Sequence, residues 1–367
     1  MTSWTQARAL PRAVVVVVAA LVVVLALLAN PSESPSAKKK PRKPPPSYWG
    51  GWIGPQLTGG EAPYDMNAVH AFQNLLGKGL SVVEWSRPWA DCNFSPCKFL
   101  EFQGAEMEKV RAYGAIPMLS WGSSSLPFDV NQPEFQLSDV ISGRYDSYIA
   151  SFAQDARNWG NPFFLRFDWE MTGDWFPWSE GVNGNGPGEY VAAWRHVHDI
   201  FTSVGATNAS WVWCPLVDPN NTLAKLRGAY PGHAYVDWTC LDGYNWGATP
   251  VNPHPWRSFN KIFKTDYRRV VKKIARRKPM ILAELGSNSA GGNKARWITK
   301  MFKELRTDYR KVRGVVWFDQ VDRNIDWPLE TSAGATAAFR RGIRKNAYKA
   351  NIFGGLGGGP IPVPGRR

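Results

Sequence analysis

The chain has 367 residues, room for one large domain with appendages, and its 44% apolar content is that of an ordinary globular protein rather than a disordered or membrane-embedded one. The formal charge is +14, but seven basic side chains (Arg8, Arg12, Lys38, Lys39, Lys40, Arg42 and Lys43) precede residue 48 against one acid, Glu33, and Arg366 and Arg367 end the chain. The basicity is therefore concentrated at the ends, and with no nucleic-acid module signature it excludes a nucleic-acid partner.

Ala13 to Ala29 is an uninterrupted apolar run behind Arg8 and Arg12. A positive flank with a short apolar core is the pattern of an export signal, and the run is also just long enough to span a bilayer. Residues 1–30 are read as a signal peptide or signal anchor, with residues 13–29 as the membrane anchor if it is retained. Either way the rest is expected outside the cytoplasm, secreted or held at the plasma membrane. Residues 31–47 are almost wholly Pro, Ser, Lys and Arg and read as an extended linker. Residues 48–350 are assigned to a catalytic domain, and the Gly/Pro-rich residues 351–367 to a disordered tail.

Within the domain eight short apolar runs read as strands: Tyr48–Gly54, Leu80–Trp85, Ala115–Trp121, Pro162–Phe167, Ala209–Cys214, Cys240–Asn245, Met280–Glu284 and Gly314–Asp319. Helix-like segments alternate with them at 65–78, 102–113, 139–158, 188–204, 221–229, 257–277, 292–308 and 331–345. This alternation predicts a parallel sheet with right-handed crossovers, and eight units match an α/β fold of the (β/α)8 TIM barrel type. No glycine-rich phosphate fingerprint follows the first strand, which argues against a nucleotide-binding doubly wound sheet. Arg268, Arg269, Lys272, Lys273, Arg276 and Arg277 crowd the segment 261–278, where they read as a solvated helix face.

Four cysteines behind an export signal suggest two disulfides. Cys92 and Cys97 would close a small loop, and Cys214 and Cys240 fall near the ends of adjacent predicted strands. The spacing contains no CxxC pair or histidine cluster, so no metal site is expected.

A barrel enzyme carries its site at the C-terminal strand ends. There the fourth strand offers Arg166, Trp169 and Glu170, followed by Trp175 and Trp178; the sixth offers Tyr244 and Trp246, and the seventh Glu284. Trp121 ends the third strand and Trp317 lies on the eighth; Arg166, Trp169, Trp175, Trp178, Tyr244, Trp246, Trp317 and Trp121 are the expected substrate-binding residues. Glu170 sits among Trp169, Met171 and Trp175, a setting that disfavours its charge, whereas Tyr244 and Arg166 are placed to keep Glu284 ionised. Two carboxylates in different environments suit glycoside hydrolysis, one as proton donor and one as nucleophile or base. The 19 tryptophans add to this, because the apolar faces of sugar rings stack on indole; several are expected to line a groove and the others to fill the core.

The run Leu165-Arg166-Phe167-Asp168-Trp169-Glu170-Met171-Thr172-Gly173, with Asp242-Gly-Tyr244-Asn-Trp246, Ala283-Glu284-Leu-Gly286 and Val316-Trp317-Phe-Asp-Gln320, resembles glycoside hydrolase family 26 over most of residues 48–330. The resemblance implies a retaining endo-β-1,4-mannanase in which Glu170 is the acid/base and Glu284 the nucleophile. It further implies that Tyr244 orients the nucleophile and that Trp175 and Trp317 are sugar platforms. Two positions depart from the family pattern: its histidine before the acid/base is Trp169 here, and its asparagine is Thr172. Mixed-linkage β-glucan, xylan or an exopolysaccharide are the alternative polymers. A non-catalytic polysaccharide-binding barrel is the rival reading. The expected partner is a polysaccharide and no cofactor is expected; the chain is expected to be a monomer.

Overall fold

The computed structural model describes residues 43–249 and 255–365. The expected signal or anchor and most of the linker lie outside the described residues. Among the described residues no helix is long and apolar enough to cross a membrane.

Eight parallel strands close into a barrel. They are Tyr48–Ile53, Val82–Asp91, Ile116–Leu126, Phe163–Phe167, Ala209–Trp213, Trp238–Cys240, Met280–Ser287 and Val312–Asp319. The first strand closes the ring by pairing on both sides, with Gly51 opposite Val83 of the second strand and Trp317 of the eighth. Gly243–Asn245 continues the sixth strand's path and pairs with the top of the seventh, Tyr244 opposite Gly286. The crossover helices start and stop where local chemistry dictates. Asp65 caps Met66–Leu76 by accepting from the Asn67 N–H, and Gly77 ends that helix at φ 69°. Thr222, Ser258, Asn293 and Ser332 cap later helices in the same way.

Several boundaries differ from those read in the sequence. The second and third strands run on past the rim to Asp91 and Leu126 and stay paired there, Asp91 opposite Leu126. This ribbon gains a short antiparallel strand, Lys98–Phe99, and the Cys92–Cys97 disulfide closes its tip. The segment 139–158 is two helices, Leu137–Ile141 and Asp146–Trp159, because Gly143 at φ 89° interrupts it. The segment 257–277 is helical over Phe259–Arg269 and then widens into a turn in which the Ala275 N–H reaches the Val270 carbonyl at 2.8 Å. Its Arg268, Lys272, Lys273, Arg276 and Arg277 are exposed, while Arg269 turns to Asp266 at 2.8 Å.

The tail is a correction. Read as disordered, it is instead packed on the barrel's N-terminal end. Ile361 is buried; its N–H donates to Ser210 Oγ at 2.7 Å and its carbonyl accepts from Trp238 Nε1 at 3.0 Å. Pro362 accepts from the Tyr48 hydroxyl at 2.8 Å. The three barrel residues involved stand at the starts of the first, fifth and sixth strands, so the tail covers the end opposite the cleft described below. Cys214 and Cys240 form the second disulfide, a buried link between the ends of the fifth and sixth strands.

Candidate active site

The fourth strand stops at Phe167, and the next residues leave it by an unusual route. Asp168 and Glu170 take left-handed backbone, φ 40° and 54°, which non-glycine residues seldom adopt. The turn is held from three sides. Asp168 N–H donates to the Trp121 carbonyl at 3.1 Å, Glu170 N–H to the Cys214 carbonyl at 2.7 Å, and Gly173 N–H returns to the Glu170 carbonyl at 2.8 Å. The buried Asp168 carboxylate accepts from the Ser123 N–H at 2.7 Å and hydroxyl at 2.8 Å, and burial pushes its pKa up to about 8. Gly122 is needed beneath this turn, since a Cβ there would stand 2.6 Å from the Trp178 ring.

Glu170 emerges on the wall of a cleft, with its Oε2 accepting from Trp175 Nε1 at 2.9 Å. Burial, then the nearby Glu284 charge, pushes its pKa up to about 8 against the pull of Arg166. Glu284 lies on the same cleft, from the seventh strand. Arg166 Nη1 donates to its Oε1 at 2.7 Å and the Tyr244 hydroxyl donates to its Oε2. Its backbone N–H donates to Asp242 Oδ1 at 2.9 Å. Both carboxylate oxygens thus have donors that fix their direction. Burial and the Glu284 charge raise the Tyr244 phenol well above its ordinary pKa, so it remains a donor.

Arg166 is fully buried beneath the pair. Besides Glu284 it donates to Glu84 at 2.5 Å and to Asp242, and its guanidinium faces the Trp169 ring at 5.3 Å. One cation is shared among three carboxyl groups. Burial outweighs Arg166 at Glu84, whose pKa rises to about 8, and at Asp242, raised well above its ordinary value.

The cleft encloses about 830 Å³, toward the upper end of small-ligand pockets, which span roughly 300–1,000 Å³. Trp169, Trp175, Tyr244 and Trp246, all read from the sequence, line it with Glu170 and Glu284. Arg166, Trp121, Trp178 and Trp317 do not line it, and their reading as substrate contacts is corrected; Arg166 is fully buried beneath the carboxyl pair. Trp121 points outward from its strand and stacks on Phe152 at 4.2 Å between barrel and helices. Trp178 lies behind Trp169, with its indole N–H on the Trp169 carbonyl at 2.7 Å. Trp317 packs outward against Phe339, and its neighbour Phe318 faces the cleft instead, as strand alternation requires.

Trp52, at the end of the first strand, and Trp327, beyond the eighth, line the cleft and were not singled out in the sequence. The strand-end rule that found Glu170 points equally to Trp52. Trp327 had no such signal, because the Lys294 ammonium folds its loop inward. That buried ammonium donates to the carbonyls of Asp326, Trp327 and Pro328 at 2.8, 3.0 and 2.6 Å.

With this geometry in place, comparison with known proteins is decisive. The sequence model of glycosyl hydrolase family 26 matches residues 122–305. The chain belongs to glycosyl hydrolase family 26. Among curated relatives, Endoglucanase H of Acetivibrio thermocellus is 35% identical over 307 residues, which cover 80% of this chain and 30% of that protein. Beta-1,3-xylanase TXYA of a Vibrio species is 26% identical over 137 residues, 34% of this chain and 27% of that protein. The chain thus spans less than a third of the length of these curated relatives. The catalytic domain of a Bacillus sp. JAMB-750 family 26 endo-β-1,4-mannanase superposes with a TM-score of 0.63 at 16% identity, covering 86% of this chain and 91% of that one. A Cellulomonas fimi endo-β-1,4-mannanase double mutant gives 0.62 at 17% identity, covering 87% and 76%. These structural likenesses carry the (β/α)8 fold.

Proposed function

We propose that this protein is a retaining endo-β-glycanase acting outside the cytoplasm, with Glu170 as acid/base and Glu284 as nucleophile, and that its polymer is a β-glucan. The observation that carries the reading is the pairing of two carboxyl groups with opposite surroundings on one aromatic cleft. Glu170 is buried and holds its proton to about pH 8, while Glu284 is gripped by the Arg166 and Tyr244 donors. In the first step Glu284 attacks the anomeric carbon as Glu170 gives its proton to the leaving oxygen. In the second, Glu170 takes a proton from the water that hydrolyses the glycosyl-enzyme. The indoles of Trp175 and Trp246 offer flat faces to the C–H faces of sugar rings, with the buried Trp327 packed edge-on behind Trp246. Two disulfides agree with an oxidising compartment.

The choice of β-glucan over the mannan implied by sequence resemblance is supported by the 35% identity to a protein named an endoglucanase. It is also supported by Trp169 standing where the family pattern has histidine. The test is reducing-sugar release from mixed-linkage β-glucan, mannan, glucomannan and xylan, with the product anomer read by proton NMR. Release from β-glucan as the retained anomer, reduced about 10²–10⁴-fold in both Glu170→Gln and Glu284→Gln, is expected. Release from mannan alone would overturn the polymer. An inverted product would overturn the mechanism, and binding without release from any polymer would favour a non-catalytic sugar-binding barrel.

A further inference from the structure

The charge of this barrel is sorted along its axis. The helices Phe259–Arg269, Lys294–Thr307 and Ala333–Ile343 stand side by side, joined by Phe259 on Trp297 at 5.7 Å and Phe302 on Phe339 at 5.2 Å between ring centres. Their last turns reach the end of the barrel opposite the cleft, where the strands begin. There the segment 268–278 holds seven basic residues and no acid, 340–349 holds five and no acid, and 303–313 holds five against Glu304 and Asp308. Lys272, Lys273, Arg276, Arg277, Arg344 and Lys345 are exposed among them. The cleft end has the opposite balance. The segment 168–188 holds four acids and no base, 122–138 two acids and no base, and 319–332 four acids against Arg323.

The chain enters the fold at the same basic end. The Ser47 N–H donates to the Ala347 carbonyl at 2.7 Å, Arg313 Nε to the Pro46 carbonyl at 2.8 Å and Arg310 Nη1 to the Lys43 carbonyl at 3.4 Å. Residues 38–43, which lead to it, carry five further positive charges. Thirteen residues separate Lys43 from the apolar run that ends at Ala29, a reach of at most about 45 Å. The basic side chains are spread over three helix ends rather than gathered round a pocket. They therefore fit an extended sheet of anionic groups better than a single small anion.

We propose that the end of the barrel opposite the cleft is a docking face for an anionic phospholipid bilayer, and that docking there turns the cleft away from the membrane. Phosphate headgroups attract the lysine and arginine side chains at one end, and the same surface repels the acidic loops at the other. One orientation of the barrel is therefore favoured, with the carboxyl pair facing outward toward polymer in solution. The orientation follows whether the apolar run 13–29 is retained or removed, since both sets of charge lie within the barrel domain.

The test mixes the full chain with vesicles of phosphatidylcholine alone, or of phosphatidylcholine and phosphatidylglycerol at about two to one, and reads the acetylation rate of each lysine by mass spectrometry. Lys272, Lys273 and Lys345 are expected to react about three- to tenfold more slowly on the anionic vesicles than on the neutral ones, an effect lost in about 0.5 M salt. Lys98 and Lys261, exposed toward the cleft end, should keep their rates. Each basic side chain near such a surface is worth roughly fivefold in partitioning. The quadruple variant Lys272→Gln/Lys273→Gln/Arg276→Gln/Arg277→Gln should therefore lose the slowing at Lys345 while its near-ultraviolet circular dichroism is unchanged. Equal rates on the two vesicles, or equal slowing at Lys98 and Lys261, would overturn the docking face. Slowing by soluble polyphosphate but not by vesicles would make the partner an anionic polymer and overturn the bilayer. None of these rates involves hydrolysis, so the face stands or falls apart from the roles of Glu170 and Glu284.

Discussion

Arg166 Nη1 lies 2.7 Å from Glu284 and 2.5 Å from Glu84, so one buried nitrogen ties the seventh strand to the second across the barrel. The other terminal nitrogen holds Asp242. Removing the cation strands buried carboxyl groups without their partner. Arg166→Met should cost about 3–5 kcal/mol of stability, as breaking buried pairs generally does. Arg166→Lys keeps a charge but not the fork that reaches three partners, and should lower kcat/KM about 100-fold through misplacement of Glu284. Denaturant unfolding and initial rates check the two variants, and an Arg166→Met protein as stable as the wild type would show that the cluster is not held by its cation.

The hydrogen bond from Trp175 to Glu170 sets a pH dependence whose sign can be worked out. Burial foremost, then the Glu284 charge, raises the Glu170 pKa to about 8, while the Trp175 N–H acts in the opposite sense by stabilising the ionised form. Proton donation requires the protonated form, so kcat/KM should be maintained through neutrality and fall as pH rises through about 8. Trp175→Phe removes a donor to the carboxylate and should move that alkaline limb to higher pH. Rate profiles between pH 5 and 10 read the effect, and a limb that stays put or moves down contradicts the role assigned to this contact.

The parts of the site legible in the sequence were those with a local signal. Pro162–Phe167 announces a buried strand, and the carboxylate just past it can be seen without knowing the fold. Face was harder to read than position. Trp121 and Trp317 sit on their strands near the right height but point outward, since one residue of register reverses a strand's side chains, and a short run buried on both faces gives no alternation to read. Trp327 and Lys294 were invisible for another reason. They meet across 33 residues through bonds between an ammonium and backbone carbonyls, and carbonyls carry no sequence signature. The tail failed similarly: Pro360-Ile-Pro-Val-Pro364 has no helical period and too many prolines for a strand ladder, so nothing in it advertises the barrel end it covers.

Lys294 offers a direct test of how that cleft wall is supported. Lys294 is 2% exposed, and its ammonium holds three carbonyls in the loop that carries Arg323 and Trp327 into the cleft. Lys294→Met keeps the volume and deletes the donors. Leaving buried carbonyls unpaired costs roughly 1–3 kcal/mol each, partly relieved by water, so a net loss of about 3 kcal/mol is expected. Because Trp327 packs on Tyr244 at 4.9 Å, KM should rise several-fold more than kcat falls. Unfolding curves and KM together decide it. A variant that loses stability with KM unchanged would mean the loop's position does not matter to the substrate.

The tail is tested by deleting it. A chain ending at Gly355 keeps every cleft residue and loses the strap across the opposite end of the barrel. It gives up the buried Ile361 side chain, worth about 1.5–3 kcal/mol. It also gives up four hydrogen bonds, to Ser210, Trp238, Tyr48 and Arg313, at roughly 1 kcal/mol each. The indole of Trp238 and the phenol of Tyr48 would then face water at the mouth of an otherwise apolar barrel end. A loss of about 5–7 kcal/mol follows, a large part of a typical domain's 5–15 kcal/mol. Denaturant unfolding of the full and shortened chains measures it, with activity at low temperature as the second readout. The shortened chain should retain its KM while unfolding at lower denaturant, because the lost contacts lie at the strand starts and the substrate at their ends. Equal stability of the two chains would show that the strap rests on the barrel without holding it.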